Sequence, residues 1–215
     1  YLFDTGDVDS GESITEASSG GTDAVAIVTT TDFVNMTAAS FNEIEEIRFA
    51  GANQTGTFTG AQLTGETLSL TETASGTSNL IINVASGTTA TFANITASTF
   101  TSGSDTITIN GTTGNETITG PNVASTIDGG TGNDIIIGGT GNDIITGGIG
   151  DDTLTGGGGV NTFNVSSGTD TITDLSENDI LIVTNGALVN VTNIDAFIAT
   201  AASYSTGTIS LTTDN

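Results

Sequence analysis

The sequence predicts an all-β fold, a right-handed parallel β-roll or β-helix solenoid, and three observations carry the prediction. Residues 129–155 repeat a nine-residue unit three times without a gap, as GGTGNDIII, GGTGNDIIT and GGIGDDTLT. A nine-residue step from Ile136 meets Ile118 and Ile127 upstream and Ile145, Leu154, Phe163, Ile172 and Leu181 downstream, an apolar residue at every step. Thirty glycines and one proline in 215 residues, with runs of Thr and Ser, suit stacked short repeats better than a globular mixture of helices and strands.

Three regions follow along the chain. Residues 1–110 read as a degenerate parallel solenoid, with short strands at the alternating strings 57–60, 68–71, 80–84 and 106–110. Phe33, Phe41, Phe49, Phe58, Phe92 and Phe100 are expected in its core, and Arg48 is expected to pair with Glu45 or Glu46. Residues 111–182 read as the regular nonapeptide roll, with an echo at Ser104–Thr108 two residues out of phase. Residues 183–215 read as a capping or secretion-related segment, with a short helix over 193–202.

Nine residues divide into a turn of about six and a strand of about three, so two repeats close one coil and residues eighteen apart stack about 4.8 Å from each other. The apolar residue of each repeat points inward and its neighbours point out. The aspartate step then forms two rows, Glu116, Asp134, Asp152, Asp170 and Ser125, Asp143, Asn161, Asp179. Stacked carboxylates repel unless a cation sits between them. The glycine turns leave room for carbonyl oxygens to converge, and Ca²⁺ takes six to eight hard oxygens. The expected metal ligands are the side chains of Glu116, Asp134, Asp143, Asp152, Asn161, Asp170 and Asp179. Backbone ligands are expected from Gly129, Gly130, Thr131 and Gly132, from Gly138, Gly139, Thr140 and Gly141, and from Gly147, Gly148, Ile149 and Gly150. Ser125 and the Gly120-Pro121 start of its repeat weaken any site there.

These turns fit the pattern G-G-x-G-x-D-x-U-x, with U a large apolar residue, and the chain resembles the RTX (repeats-in-toxin) family of secreted bacterial proteins. The stretch from Asp170 through Asp174 and Asp179 to Ile182 resembles the segment that closes RTX rolls. Glu12–Glu16 with Gly20–Asp23, and Ile44–Gly51, resemble degenerate repeats of large RTX adhesins and S-layer proteins. The resemblance implies several bound Ca²⁺ ions, type I secretion and a place outside the cell. The role expected is a structural module of a surface protein, an S-layer, filament or adhesin. The alternatives are the C-terminal calcium module of a secreted enzyme or toxin, and an ice-binding domain.

Charge and composition narrow the classes. A net charge of −24, from 25 acidic residues against the single Arg48, excludes a binder of nucleic-acid phosphates. With no His, Cys or Lys there is no disulfide, no usual zinc site and no Ser-His-Asp, Cys-His or Schiff-base chemistry, so an enzyme is not expected. No apolar run approaches the ~20 residues of a spanning helix. Tyr1 carries neither Met nor a signal-peptide pattern, so the chain reads as a fragment or a processed product. The partners expected are copies of the chain itself and, for an adhesin, cell-surface polysaccharide.

The residues flanking each inward position read Thr117/Thr119, Ile135/Ile137, Thr153/Thr155 and Thr171/Thr173 on one side. On the other they read Thr126/Asp128, Ile144/Thr146, Thr162/Asn164 and Ile180/Ile182. They satisfy ordinary β-propensity or furnish a flat, weakly charged face for lateral packing or ice.

Overall fold

A computed structural model describes residues 2–3, 22–41, 44–100, 104–184, 186–192, 204–205 and 207–211. The segments Glu12–Glu16 and 193–202 lie outside the described residues. Every strand pairing among the described residues is parallel, and the strands stack into three sheets. Sheet 1 has five strands, from Leu2–Phe3 through Ala24–Ile27, Glu46–Phe49 and Leu68–Glu72 to Ile95–Ala97. Sheet 2 has nine, from Thr31–Asp32 to Tyr204–Ser205, and sheet 3 has seven, from Thr89–Thr91 to Thr208–Leu211.

Coil length changes along the solenoid. In sheet 1, Ala24 pairs with Glu46 and Leu68 with Ile95, steps of 22 and 27 residues. In sheet 2, Asn79 pairs with Thr106, 27 residues on, and then Thr108 pairs with Thr126, only 18 on. The strand Thr106–Asn110 is therefore where wide coils give way to tight ones. Sheet 1 stops at Ile95–Ala97 while sheets 2 and 3 continue, so a three-sided coil becomes two-sided.

The inward side chains match these dimensions. Wide coils enclose Phe33 stacked on Phe58 at 4.6 Å, with Phe41 edge-on to both and Phe49 against Phe100. All six predicted phenylalanines are buried. The strands from Thr117–Thr119 to Thr153–Gly157 each bury one apolar side chain, Thr162–Val165 and Ile180–Val183 bury two, and the predicted series from Ile118 to Leu181 is buried throughout.

Two local features differ from expectation. The string 57–60 is strand only from Thr55 to Thr59, because Gly60 opens the one-turn helix Gly60–Leu63. Gln62 of that turn is buried and donates to the carbonyls of Phe33 and Met36 at 2.7 and 2.9 Å. Just beyond it, Gly65 N–H donates to the Thr91 carbonyl and Thr64 Oγ1 accepts from Thr91 N–H, which closes the first edge of sheet 3. Between Thr126 and Gly157 the strands reach five or six residues rather than three. Pairing runs on through the glycines, Gly130 with Gly148 and Gly139 with Gly157, where no Cβ separates the stacked backbones.

Arg48 pairs with Glu46, whose carboxylate also accepts from Thr71 Oγ1. This surface network needs no functional role.

Candidate metal centre

Each aspartate of the two rows stands at the corner where a turn enters a strand. Its Oδ1 accepts the backbone N–H of the row member one coil earlier. Asp134 accepts from Glu116 at 2.7 Å, Asp152 from Asp134 at 2.8 Å and Asp170 from Asp152 at 3.0 Å. In the other row, Asp143 accepts from Ser125, Asn161 from Asp143 and Asp179 from Asn161, at 2.7 to 3.0 Å. The two rows are thus continuous ladders in which one oxygen per residue ties coil to coil.

The second oxygen has a different fate. Oδ2 of Asp134, Asp143, Asp152 and Asp170 is buried and has no hydrogen-bond partner. An unmatched buried polar atom costs about 1–3 kcal/mol, and more when charged. Four of them weigh heavily against a typical domain stability of about 5–15 kcal/mol. The glycine turns explain where these oxygens point. A Cβ placed on Gly129 would lie 2.5 Å from both Asp134 Oδ2 and the Gly147 carbonyl oxygen. One placed on Gly138 would lie 2.6 Å from Asp143 Oδ2 and 2.7 Å from the Gly156 carbonyl oxygen. Side-chain and main-chain oxygens from adjacent coils therefore converge on space that only glycine leaves open. Gly132, at φ +132°, likewise sits in a conformation and a contact that exclude other residues.

Electrostatics make the same space attractive to a cation. Burial pushes the Asp134 carboxyl up to about 6; the Glu116 N–H bond opposes this, and Glu116, Asp152 and Asp128 add to it. Burial also pushes Asp170 up to about 7, with Asp152 and Asp151 contributing, and raises Asp143 and Asp152. A divalent cation beside these oxygens would relieve both desolvation and repulsion. Among the described residues no three acidic, His or Cys side chains gather at one point. A site here would therefore draw on single carboxylates and carbonyls from neighbouring coils, an all-oxygen set that suits Ca²⁺.

Residues 128–163 match the model of the RTX calcium-binding nonapeptide repeat, in four copies. This segment is an RTX repeat array. No curated protein and no solved structure matches the chain. The fourth RTX copy begins at Gly156 and carries Asn161 where the others have aspartate. There the amide Nδ2, not an oxygen, faces the turn, 2.5 Å from a Cβ placed on Gly156.

The remaining predicted side chains bound the RTX array. Glu116 has both oxygens on backbone donors, Gly87 N–H at 2.6 Å and Thr112 N–H at 3.3 Å. Asp179 Oδ2 accepts from the Ser176 N–H and hydroxyl, both at 2.8 Å. Ser125 Oγ donates to Asp143 Oδ1. The predicted turn residues stack coil on coil, Thr131 over Ile149 and Gly130 over Gly148. Thr140, Gly141 and Gly150 lie in the corresponding loops.

Sequence reasoning missed one set of contributors. One position before the aspartates, Asn115 Oδ1 accepts from Asn133 N–H, Asn133 from Asp151, Asp151 from Thr169 and Asn142 from Val160. These run opposite to the aspartate ladders, so each turn is stapled in both directions. The eighteen-residue recurrence of Asn115, Asn133 and Asp151 was the available signal. Asp174 accepts from Gly156 and Gly157 N–H, closing the stack above the last glycine pair. Asp105 accepts from Ser78 N–H, repeating the ladder contact in the wide coils.

Proposed function

We propose that this chain is a calcium-binding structural module of a secreted bacterial cell-surface protein, an S-layer, surface filament or adhesin, that folds and self-assembles with Ca²⁺. The observation that carries the reading is the set of four buried, partnerless Oδ2 atoms aimed into glycine-lined space. Asp134, Asp143, Asp152 and Asp170 would hold the ions together with turn carbonyls such as those of Gly147 and Gly156. Bound calcium supplies charge neutralisation and coordination that the thin core of the tight coils lacks.

Several features support a structural rather than a catalytic role outside the cell. The chain has no His, Cys or Lys, and among the described residues no helix is long and apolar enough to cross a membrane. Extracellular calcium modules bind at about 10⁻⁴–10⁻³ M, which keeps such a chain unfolded during export and folds it outside. A net charge of −24 holds monomers apart until cations screen it. Circular dichroism with chelator and with millimolar calcium, run beside light scattering, tests both halves. Calcium should restore β signal and then raise scattering. Full β structure in chelator would contradict coupled folding, and a folded monomer at high calcium would contradict assembly.

A further inference from the structure

Sheet 3 presents a face unlike the rest of the molecule. Its five consecutive strands from Thr89–Thr91 to Thr169–Ile172 are in register, and their outward pairs read Thr89/Thr91, Thr117/Thr119, Ile135/Ile137, Thr153/Thr155 and Thr171/Thr173. All ten are Thr or Ile in a chain of net charge −24. The outward positions of sheet 2 in the same coils include exposed Asp128, along with Asn110 and Asn164. The described chain leaves Ile135 47% and Ile137 37% exposed at the centre of the sheet 3 face.

The order of these pairs is a palindrome, with two threonine strands on each side of the isoleucine strand. A two-fold axis lying in the face and running along the strand through Ile136 would set Ile135 of one copy on Ile135 of another. It would likewise set the threonines of 117–119 on those of 153–155. Such self-complementarity is what an isologous contact requires. From this face and its charge-free composition we infer that sheet 3 is the homotypic docking surface, and that its occupant is sheet 3 of a second copy. The inference rests on the calcium-dependent assembly proposed above and assigns it a surface.

The same strands explain the dependence on calcium. Asp134, Asp152 and Asp170 immediately precede Ile135, Thr153 and Thr171, so the row with three partnerless oxygens borders this face. Cations held along that border cancel the charge that two apposed copies would otherwise bring together. The face covers roughly 20 Å by 10 Å, well short of the ~800 Å² per partner of a stable dimer. Contact is therefore weak per copy and cumulative where many copies lie side by side.

The full chain has no cysteine, so single cysteines report proximity directly. Ile135→Cys probes sheet 3 and Ile144→Cys, 44% exposed, probes sheet 2. With diamide as oxidant and millimolar calcium, Ile135→Cys should form the disulfide dimer at least tenfold faster than Ile144→Cys, and chelator should abolish the preference. Ile137→Glu should keep calcium-induced β signal and lose association. Equal cross-linking rates, or an Ile137→Glu variant that associates like the parent, would overturn the assignment of this face while the parent's scattering in calcium leaves assembly itself standing. A parent chain that folds with calcium yet neither scatters nor cross-links would overturn both.

Discussion

The wide coils of residues 22–100 and the tight coils of 111–182 share sheets 2 and 3, yet different forces hold them. In the wide coils a cluster of phenylalanines fills a three-sided interior. In the tight coils most strands bury a single apolar side chain, and four carboxylate oxygens at the corners have no hydrogen-bond partner. The difference teaches that narrowing the solenoid trades hydrophobic burial for buried carboxylate oxygens that a cation would relieve. A core too thin for aromatics in most rungs leaves the ladder corners to decide stability.

The largest effect expected from breaking this contrast comes from the aromatic side. Phe58→Ala removes the ring that meets both Phe33 and Phe41 and should destabilise the wide coils by about 3–5 kcal/mol. Calorimetric calcium affinity should stay unchanged, because no predicted ligand touches that cluster.

Next in size is the asymmetry between the two rows. Asp152→Asn keeps an Oδ1 for Asp134 N–H but replaces the partnerless oxygen with a donor. Calcium affinity should fall about tenfold or more, a change of at least about 1.4 kcal/mol. Without calcium the same variant should be slightly more stable, since it removes a buried charge. Asn161→Asp should move affinity the other way. Calorimetry and chelator-phase melts check both signs; an Asp152→Asn protein with unchanged affinity would refute the assignment of that row.

A smaller, opposite-signed pair of effects concerns pH. Burial raises the folded-state values of Asp134 and Asp170 to about 6 and about 7, from an ordinary 3.8, so the folded metal-free roll holds its protons more tightly than the unfolded chain does. Its stability is greatest at acid pH and is lost as pH rises through that window. Chelated protein should therefore show more β signal in the tight coils at pH 5 than at pH 8. Calcium-loaded protein should show the reverse, because protons compete for the same oxygens.

The tight coils were legible in the sequence because one period governs everything in them. Nine residues set the inward Ile136 and Ile145, the two aspartate rows and the eighteen-residue coil at once. The wide coils were legible only as short strands such as Leu68–Glu72 and Asn79–Asn83. Their steps vary from 22 to 28 residues, so no period announces sheet 1 or its end at Ile95–Ala97. At the site, the row positions of Asp134 and Asp152 could be counted. The division of labour between their two oxygens could not, since it depends on which neighbour's N–H each carboxylate meets. Glu116 and Asp179 show this well, occupying ladder positions with both oxygens already engaged.

Hydrogen exchange read by mass spectrometry, with chelator and with calcium at about a hundred times its dissociation constant, tests the contrast most directly. Ligand binding at that ratio adds about 2.7 kcal/mol, so amides of residues 126–172 should exchange about a hundredfold more slowly with calcium. Those of residues 44–100 should change little. Equal protection of both regions in chelator, or a calcium effect as large over 44–100 as over 126–172, would contradict the account.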